Sequence, residues 1–357
     1  MAELKRKIDK FLLDWRNSKT RKPLIIKGAR QTGKTTSIEK FGKENYKSFI
    51  EINFVSMPEY KTIFNEGYTV DNIIKNISLH NGNFEFIPND TLIFFDEMQE
   101  FPDVATSLKF FCIDGRFDVI CSGSLMGINY QEIHSNSVGY KEDYTMRSLD
   151  FEEFLWAKGY KDGQIEDLFT CMKEIKPLTN TQYNVMMSNF NDYMITGGMP
   201  EVVSMFIDNK NFSGVLDKQK SLLLDYEEDI TKYAGGLDKS KILVAYRKIK
   251  VFLGNDNKKF QITKLKDGAR NREYIGVVDW LDKAGIVNVS YSLDHLELPL
   301  KVNYNPDNYR LYFGDTGLLI GSLDEESQND LRNNQNFGTY KGALYLSLIH
   351  ISEPTRH

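Results

Sequence analysis

The stretch Lys27 to Thr36 reads KGARQTGKTT and fits the pattern GxxxxGK[ST] from Gly28 to Thr35. The pattern is short, so its flanks decide what it means. Leu24, Ile25 and Ile26 precede it as an apolar run suited to a buried parallel strand. KTTSIEKF follows with no helix breaker, and Gly42 stands where a C-terminal cap would end a helix. Strand, glycine loop and helix is the order that phosphate binding needs. Gly28 and Gly33 let the backbone curl its N–H groups around phosphates, and the helix N-terminus adds positive potential. Lys34 is expected to reach the β- and γ-phosphates, and Thr35 to offer its hydroxyl to Mg²⁺. The expected ATP-binding set is Gly28, Ala29, Arg30, Gln31, Thr32, Gly33, Lys34, Thr35 and Thr36. A tight strand-to-helix turn with a solvated lysine is the plainer alternative.

A second apolar run, TLIFFDEMQEFP from Thr91 to Pro102, ends in Asp96 and Glu97. A strand that delivers an acid is what a Walker B site requires. Asp96 is expected to hold Mg²⁺ beside Thr35, and Glu97 to polarise the attacking water as a general base. Lys34 and Glu97 are thus the catalytic pair. The plainer reading makes the two acids a cap for the helix expected near Pro102. A third run, FDVICSGS, ends in Ser122 and Ser124. Ser124 is expected either to sense the γ-phosphate or to be an ordinary loop serine. No NKxD motif for reading guanine occurs, which favours ATP over GTP.

Composition bounds the rest. The 357 residues allow two or three domains, and a formal charge of −5 argues against a uniformly basic nucleic-acid coat. No apolar run is long enough to span a bilayer, and the N-terminus lacks the pattern of a signal peptide. Cys112, Cys121 and Cys171 are scattered and read as reduced thiols of a cytoplasmic protein.

Further on, LDFEEFLWAKGY spaces Phe151, Phe154, Leu155 and Trp156 as a core-facing helix. Gly197 and Gly198 read as a hinge or as a plain turn. Residues 240–300 read as helices followed by strands, the order of a winged helix. One helix is expected near 270–284, with Tyr274, Val277, Val278 and Leu281 on its apolar face and Gly285 at its end. Between Asn257 and Tyr274 stand six basic residues, Lys258, Lys259, Lys264, Lys266, Arg270 and Arg272, against two acids. Lys264, Lys266, Arg270 and Arg272 are the expected nucleic-acid contacts, to DNA or RNA. A solvated face or a protein contact fits the same residues, and the sequence shows no interleaved aromatic platform for bases.

These segments resemble a family of prokaryotic AAA-type P-loop ATPases. Its members carry a C-terminal domain of unknown function and usually a terminal restriction-nuclease-like segment. The resemblance runs to Tyr345 through KGARQTGKT, FFDEMQE, SLKFF, CSGSLMG, LDFEEFLWA, GGMPEVV, WLDKAGIV and LYFGDTGLL. It implies an ATPase domain, a helical lid, a winged-helix-like region and a terminal domain. Similar proteins often have an arginine where this chain has Tyr140. The nearest arginine here, Arg147, is a candidate finger for transition-state charge, or a surface ion pair.

The expected fold is α/β: a P-loop ATPase parallel sheet with helices on both faces, then a helical lid and a winged-helix-like region. The expected domains are 1–155, 156–238, 239–322 and the start of a nuclease-like domain at 323–345. Residues 346–357 are expected to be foreign. Leu346 to Arg356 reads LSLIHISEPTR, the translation of a transposase-end sequencing adapter, so His350 and His357 are not taken as ligands. On that reading Leu344 and Tyr345 lose their apolar partners. The expected activity is Mg²⁺-dependent ATP hydrolysis coupled to movement of the C-terminal region, with nucleic acid, a protein partner or a homo-oligomer as its outlet and no membrane. The alternative is a slow ATP-dependent switch that recruits a protein.

Overall fold

Apolar runs at 24–26, 92–95 and 119–121 become the inner strands of one parallel sheet. In the computed structural model, all residues are described except 1–3, 126–136, 235–237, 267–268, 275, 335–337 and 353–357. The chain divides into two compact units, one of Arg6–Met146 and one made mainly of the residues from Arg147 onward.

The N-terminal unit carries β1 (Leu24–Gly28), β2 (Ser48–Asn53), β3 (Thr91–Asp96), β4 (Asp118–Ser124) and β5 (Glu142–Thr145). They lie in the order β2-β3-β4-β1-β5, all parallel. Helices α1 (Lys7–Asn17), α2 (Lys34–Asn45), α3 (Val70–His80) and α4 (Val104–Asp114) flank the sheet. Alternation along the strands builds two cores. Leu24, Ile26, Leu92, Phe94 and Ile120 pack with Ile8, Leu12, Ile38 and Phe41 of α1 and α2. Ile25, Ile93, Phe95, Val119 and Cys121 pack with Ile73, Ile77, Leu108 and Phe111 of α3 and α4. Each such side chain contributes about 1.5–3 kcal/mol on burial, so strands apolar on both faces are held from both sides.

Gly42 does not cap α2. The helix runs on to Asn45, and a Cβ at Gly42 would sit 2.2 Å from Cδ2 of Phe49. The glycine is there to let the ring of Phe49 lie against the helix.

The C-terminal unit is mainly helical. It contains α5 (Phe151–Ala157), α6 (Asp162–Lys173), α7 (Asn180–Thr196), α8 (Pro200–Asn209), α9 (Val215–Tyr233) and α10 (Lys239–Leu253). Short turns follow at Ile262–Lys264 and Asn271–Tyr274, and then α11 (Val277–Lys283). Strands β6 (Val287–Leu293) and β7 (Tyr304–Phe313) pair antiparallel, and α12 (Thr316–Gly321), α13 (Glu325–Asn334) and α14 (Lys341–Ser352) complete the unit. The helix expected over 270–284 is shorter than its apolar pattern, because Gly276, at φ +84°, breaks it before Val277. Tyr274, Val277 and Leu281 are buried as expected, and Gly285 ends the helix at φ +71°.

Gly197 and Gly198 form a packed turn. A Cβ at Gly197 would lie 2.1 Å from Asp315 Oδ1, and one at Gly198 would lie 2.0 Å from the Leu149 carbonyl oxygen. Asp315 also accepts the N–H of Gly198 at 2.7 Å.

The end of the chain corrects one expectation. Ala343 and Leu344 are fully buried in α14, Leu348 is nearly so, and the ring of Tyr345 lies 5.4 Å from that of Phe190. Leu344 and Tyr345 therefore keep apolar partners, supplied by the helical unit itself. The helix continues through Leu346 to Ser352. Of the segment expected to be foreign, residues 353–357, His357 among them, lie outside the described residues.

Candidate nucleotide site

Because the five strands are parallel, Gly28, Asn53, Asp96, Ser124 and Thr145 end on one edge of the sheet. That edge is where open α/β sheets bind ligands.

The glycine loop leaves β1 and enters α2 through Gly33, whose φ of +90° is strained for any residue with a Cβ. Gly28 is required for a different reason, since a Cβ there would meet the Met146 carbonyl oxygen at 2.2 Å. Gln31 is also left-handed, at φ +61°. Left-handed positions are how a short loop turns successive N–H groups toward one point. Thr32 is buried, and its hydroxyl donates to the Ala29 carbonyl at 3.0 Å. The Thr32 carbonyl accepts from Arg6 Nη1 at 2.8 Å, and Arg6 is itself buried. Arg30 is half-buried, while Gln31 and Thr36 are exposed.

Lys34 Nζ donates to the carbonyls of Gly28 at 3.1 Å and Ala29 at 2.8 Å. As a residue Lys34 is half-buried, but its ammonium is enclosed deeply enough that burial lowers its pKa to about 8. The charges of Glu97 and Asp96 oppose that shift, and Arg30 adds to it.

Thr35 Oγ1 donates to Asp96 Oδ2 at 3.1 Å, joining residues 61 positions apart. Asp96 is almost fully buried. Its Oδ2 also accepts from Asn53 Nδ2 at 3.0 Å, and its Oδ1 accepts from the hydroxyl of Ser122. Strands on both sides of β3 thus fix this carboxylate. Glu97 follows at the strand end in a left-handed conformation, φ +55° and ψ +45°. Its Oε2 accepts from the side-chain amide of Gln99, whose Oε1 accepts the Ser124 N–H at 3.1 Å.

The motifs did not single out Asn53, Gln99 or Arg6, or a role for Ser122. Only Ser122 had a signal, as a polar residue near the tip of an apolar strand.

The residues fit Mg²⁺. A hydroxyl and a carboxylate in contact are the hard oxygen donors this ion takes, with substrate phosphates and water completing its shell. Among the described residues no group of three or more His, Cys, Asp or Glu side chains that could hold a metal ion gathers.

The other expected residues lie in the C-terminal unit. Arg147 is half-buried, and its Nη1 donates to Asn288 Oδ1 at 3.3 Å. Burial depresses its pKa, and Asp282 opposes the shift. Lys264, Lys266 and Arg270 are exposed and form no ion pair among the described residues. Of Arg272 only the backbone is described, in the turn Asn271–Tyr274. Tyr291 of β6 and Tyr304 of β7 are about half exposed, with ring centroids 4.9 Å apart. Tyr291 also lines a cleft of about 720 Å³ with Lys259, Lys264, Tyr309, Asp279 and Asp307. Strand pairing thus provides aromatic faces next to two of the basic residues.

Residues 20–155 match the family model of an AAA domain. Residues 187–329 match that of a domain of unknown function, DUF8612. No curated protein matches the chain. Among solved structures, a Walker-type ATPase of Pyrococcus abyssi, PABY2304, is similar at 13% identity and a TM-score of 0.49, over 90% of this chain and 96% of that one. The ORC2 protein of Aeropyrum pernix in its ADP form is similar at 13% identity and a TM-score of 0.36, over 94% and 93%. The RuvB Holliday junction branch migration motor of Thermotoga maritima is similar at 12% and 0.35, over 80% and 89%. Among the described residues no helix is long and apolar enough to cross a membrane.

Proposed function

We propose that the AAA domain binds ATP with Mg²⁺ at the strand tips and hydrolyses it. The observation that carries this reading is the contact of Thr35 with Asp96, beside a loop whose two glycines are each structurally required. Residues 28–36 cradle the phosphates with backbone N–H groups and the positive end of α2. Lys34 exchanges its two carbonyl partners for phosphate oxygens. Thr35 and Asp96 hold Mg²⁺, which supplies neutralisation of phosphate charge. Glu97 takes the proton of the attacking water as general base. Ser124, at the end of β4, contacts the γ-phosphate or that water.

The outlet of hydrolysis is the C-terminal unit. Helix α10, the two short turns, α11 and the β6–β7 pair follow one another in the order of a winged helix. Exposed Lys264, Lys266 and Arg270, with Tyr291 and Tyr304, support nucleic acid as the partner of that region. The second reading is a slow ATP-dependent switch that recruits a protein or a second copy. It is favoured by Arg147 having Asn288 as a partner within its own unit.

ATP turnover measured with and without DNA, over a range of protein concentration, tests both. Stimulation by DNA supports the first reading. A rate per subunit that rises with concentration supports catalysis across copies. Turnover indifferent to both, or none, contradicts the coupling.

A further inference from the structure

Gln99 is only 7% exposed, and both ends of its amide are used. Its Nε2 donates to Glu97 Oε2, and its Oε1 accepts the Ser124 N–H at 3.1 Å. The amide has one orientation that serves both partners. Turned over, it would set its oxygen against a carboxylate and its NH₂ against an N–H. One buried side chain therefore ties the end of β3 to the end of β4.

The backbone is committed as well. Glu97 holds a left-handed conformation that costs a non-glycine residue about 1–3 kcal/mol. The Glu97 carbonyl accepts the N–H of Glu100 at 2.9 Å, which closes the tight turn Met98–Glu100. That turn brings the amide of Gln99 back onto the carboxylate two residues before it.

We propose that Gln99 is the positioning residue of Glu97, holding its carboxylate at a fixed place relative to the tip of β4. The inference rests on the ATPase reading above. A glutamate side chain has several rotamers, and a base works only within hydrogen-bond reach of the water it activates. A misplacement of about 1 Å can cost about 100-fold in rate. Gln99 removes that freedom, and through Ser124 it makes the place of the base depend on β4. Its hydrogen bonds go to Glu97 and Ser124 and not to residues 28–36, so its larger effect belongs to turnover. A glutamine is needed because the bridge requires one donor and one acceptor at this span. Glutamate offers two acceptors, and methionine offers a similar shape with no N–H donor.

The test uses the full chain with Mg-ATP, in the wild-type and Glu97→Gln backgrounds. Turnover is read at saturating ATP, and affinity with a fluorescent ATP analogue. Gln99→Met should lower kcat about 10- to 100-fold while leaving the analogue Kd within about twofold. It should have no further effect in the Glu97→Gln background. Gln99→Glu should lower kcat likewise. Unchanged kcat in Gln99→Met overturns the inference, as does an equal further loss in the Glu97→Gln background. If Gln99→Met loses analogue binding, Gln99→Glu decides: retained binding with low kcat supports the inference, and wild-type turnover overturns it. A wild-type protein that binds the analogue without any turnover overturns the hydrolysis reading and the inference with it. Wild-type turnover matched by both Gln99 variants overturns the inference alone.

Discussion

The glycine loop and the segment from Asn257 to Tyr274 both present cations suited to phosphates, and they are built in opposite ways. At the loop the cations described are held. Lys34 has two carbonyl partners, and Arg6 is buried against Thr32. In the segment Lys264, Lys266 and Arg270 stand exposed near short turns, with no ion pair among the described residues. The first is a preorganised arrangement, in which one missing contact leaves a buried partner unsatisfied. The second is a diffuse charged face, whose attraction is a sum over cations and is screened by salt.

The contrast breaks most readily at Lys34. Lys34→Ala should weaken ATP binding about 100-fold, because a charge-assisted contact in an enclosed site is lost. Calorimetric titration measures this, and a loss of only a few-fold would make the loop no more preorganised than the segment. In the C-terminal unit, Lys264→Glu with Arg270→Glu should weaken DNA binding about tenfold at low salt and flatten the slope of log affinity against log salt by about two. Fluorescence anisotropy over a salt series reads both, and an unchanged slope would assign those residues to a protein contact or to plain solvation. Tyr291→Ala should cost about 1–3 kcal/mol in single-strand affinity with no change of slope, separating stacking from charge.

The smallest effect is a proton. With its pKa held down to about 8, Lys34 is partly neutral at pH 8.5 in the free protein. Phosphates favour its charged form, so ATP binding at pH 8.5 should take up a fraction of a proton. Near pH 6.5 the lysine is already protonated, and that uptake should vanish. Titration in buffers of different ionisation enthalpy measures it. Equal uptake at both pH values, or uptake persisting in Lys34→Ala, would detach the effect from this residue.

How far the sequence could be read follows the same division. The strand, loop and helix at 24–45 and the acid-tipped strand β3 were legible as elements because each is written in a short local stretch. Asn53, Ser122 and Gln99 were not, because their contacts arise from β3 lying between β2 and β4, and neighbourhood in a sheet is not written in spacing. Gly42 was misread for a related reason. Its partner Phe49 lies on the next strand, so the glycine looked like a stop when it was a point of close approach. Tyr291 and Tyr304 are separated by the turn of a strand pair, which hid them as an aromatic surface. The terminal helix was misjudged because its apolar partners, Phe190 among them, lie far back in the chain.

The central claim is that the strand tips form an Mg-ATP site in which Glu97 performs hydrolysis. Phosphate release by the wild-type protein and by Glu97→Gln, measured at the same saturating Mg-ATP, tests it most directly. The account predicts steady release by the wild type. It predicts release lower by about 10²- to 10⁴-fold for Glu97→Gln, which should still bind ATP with wild-type affinity. Release by Glu97→Gln at the wild-type rate would contradict it.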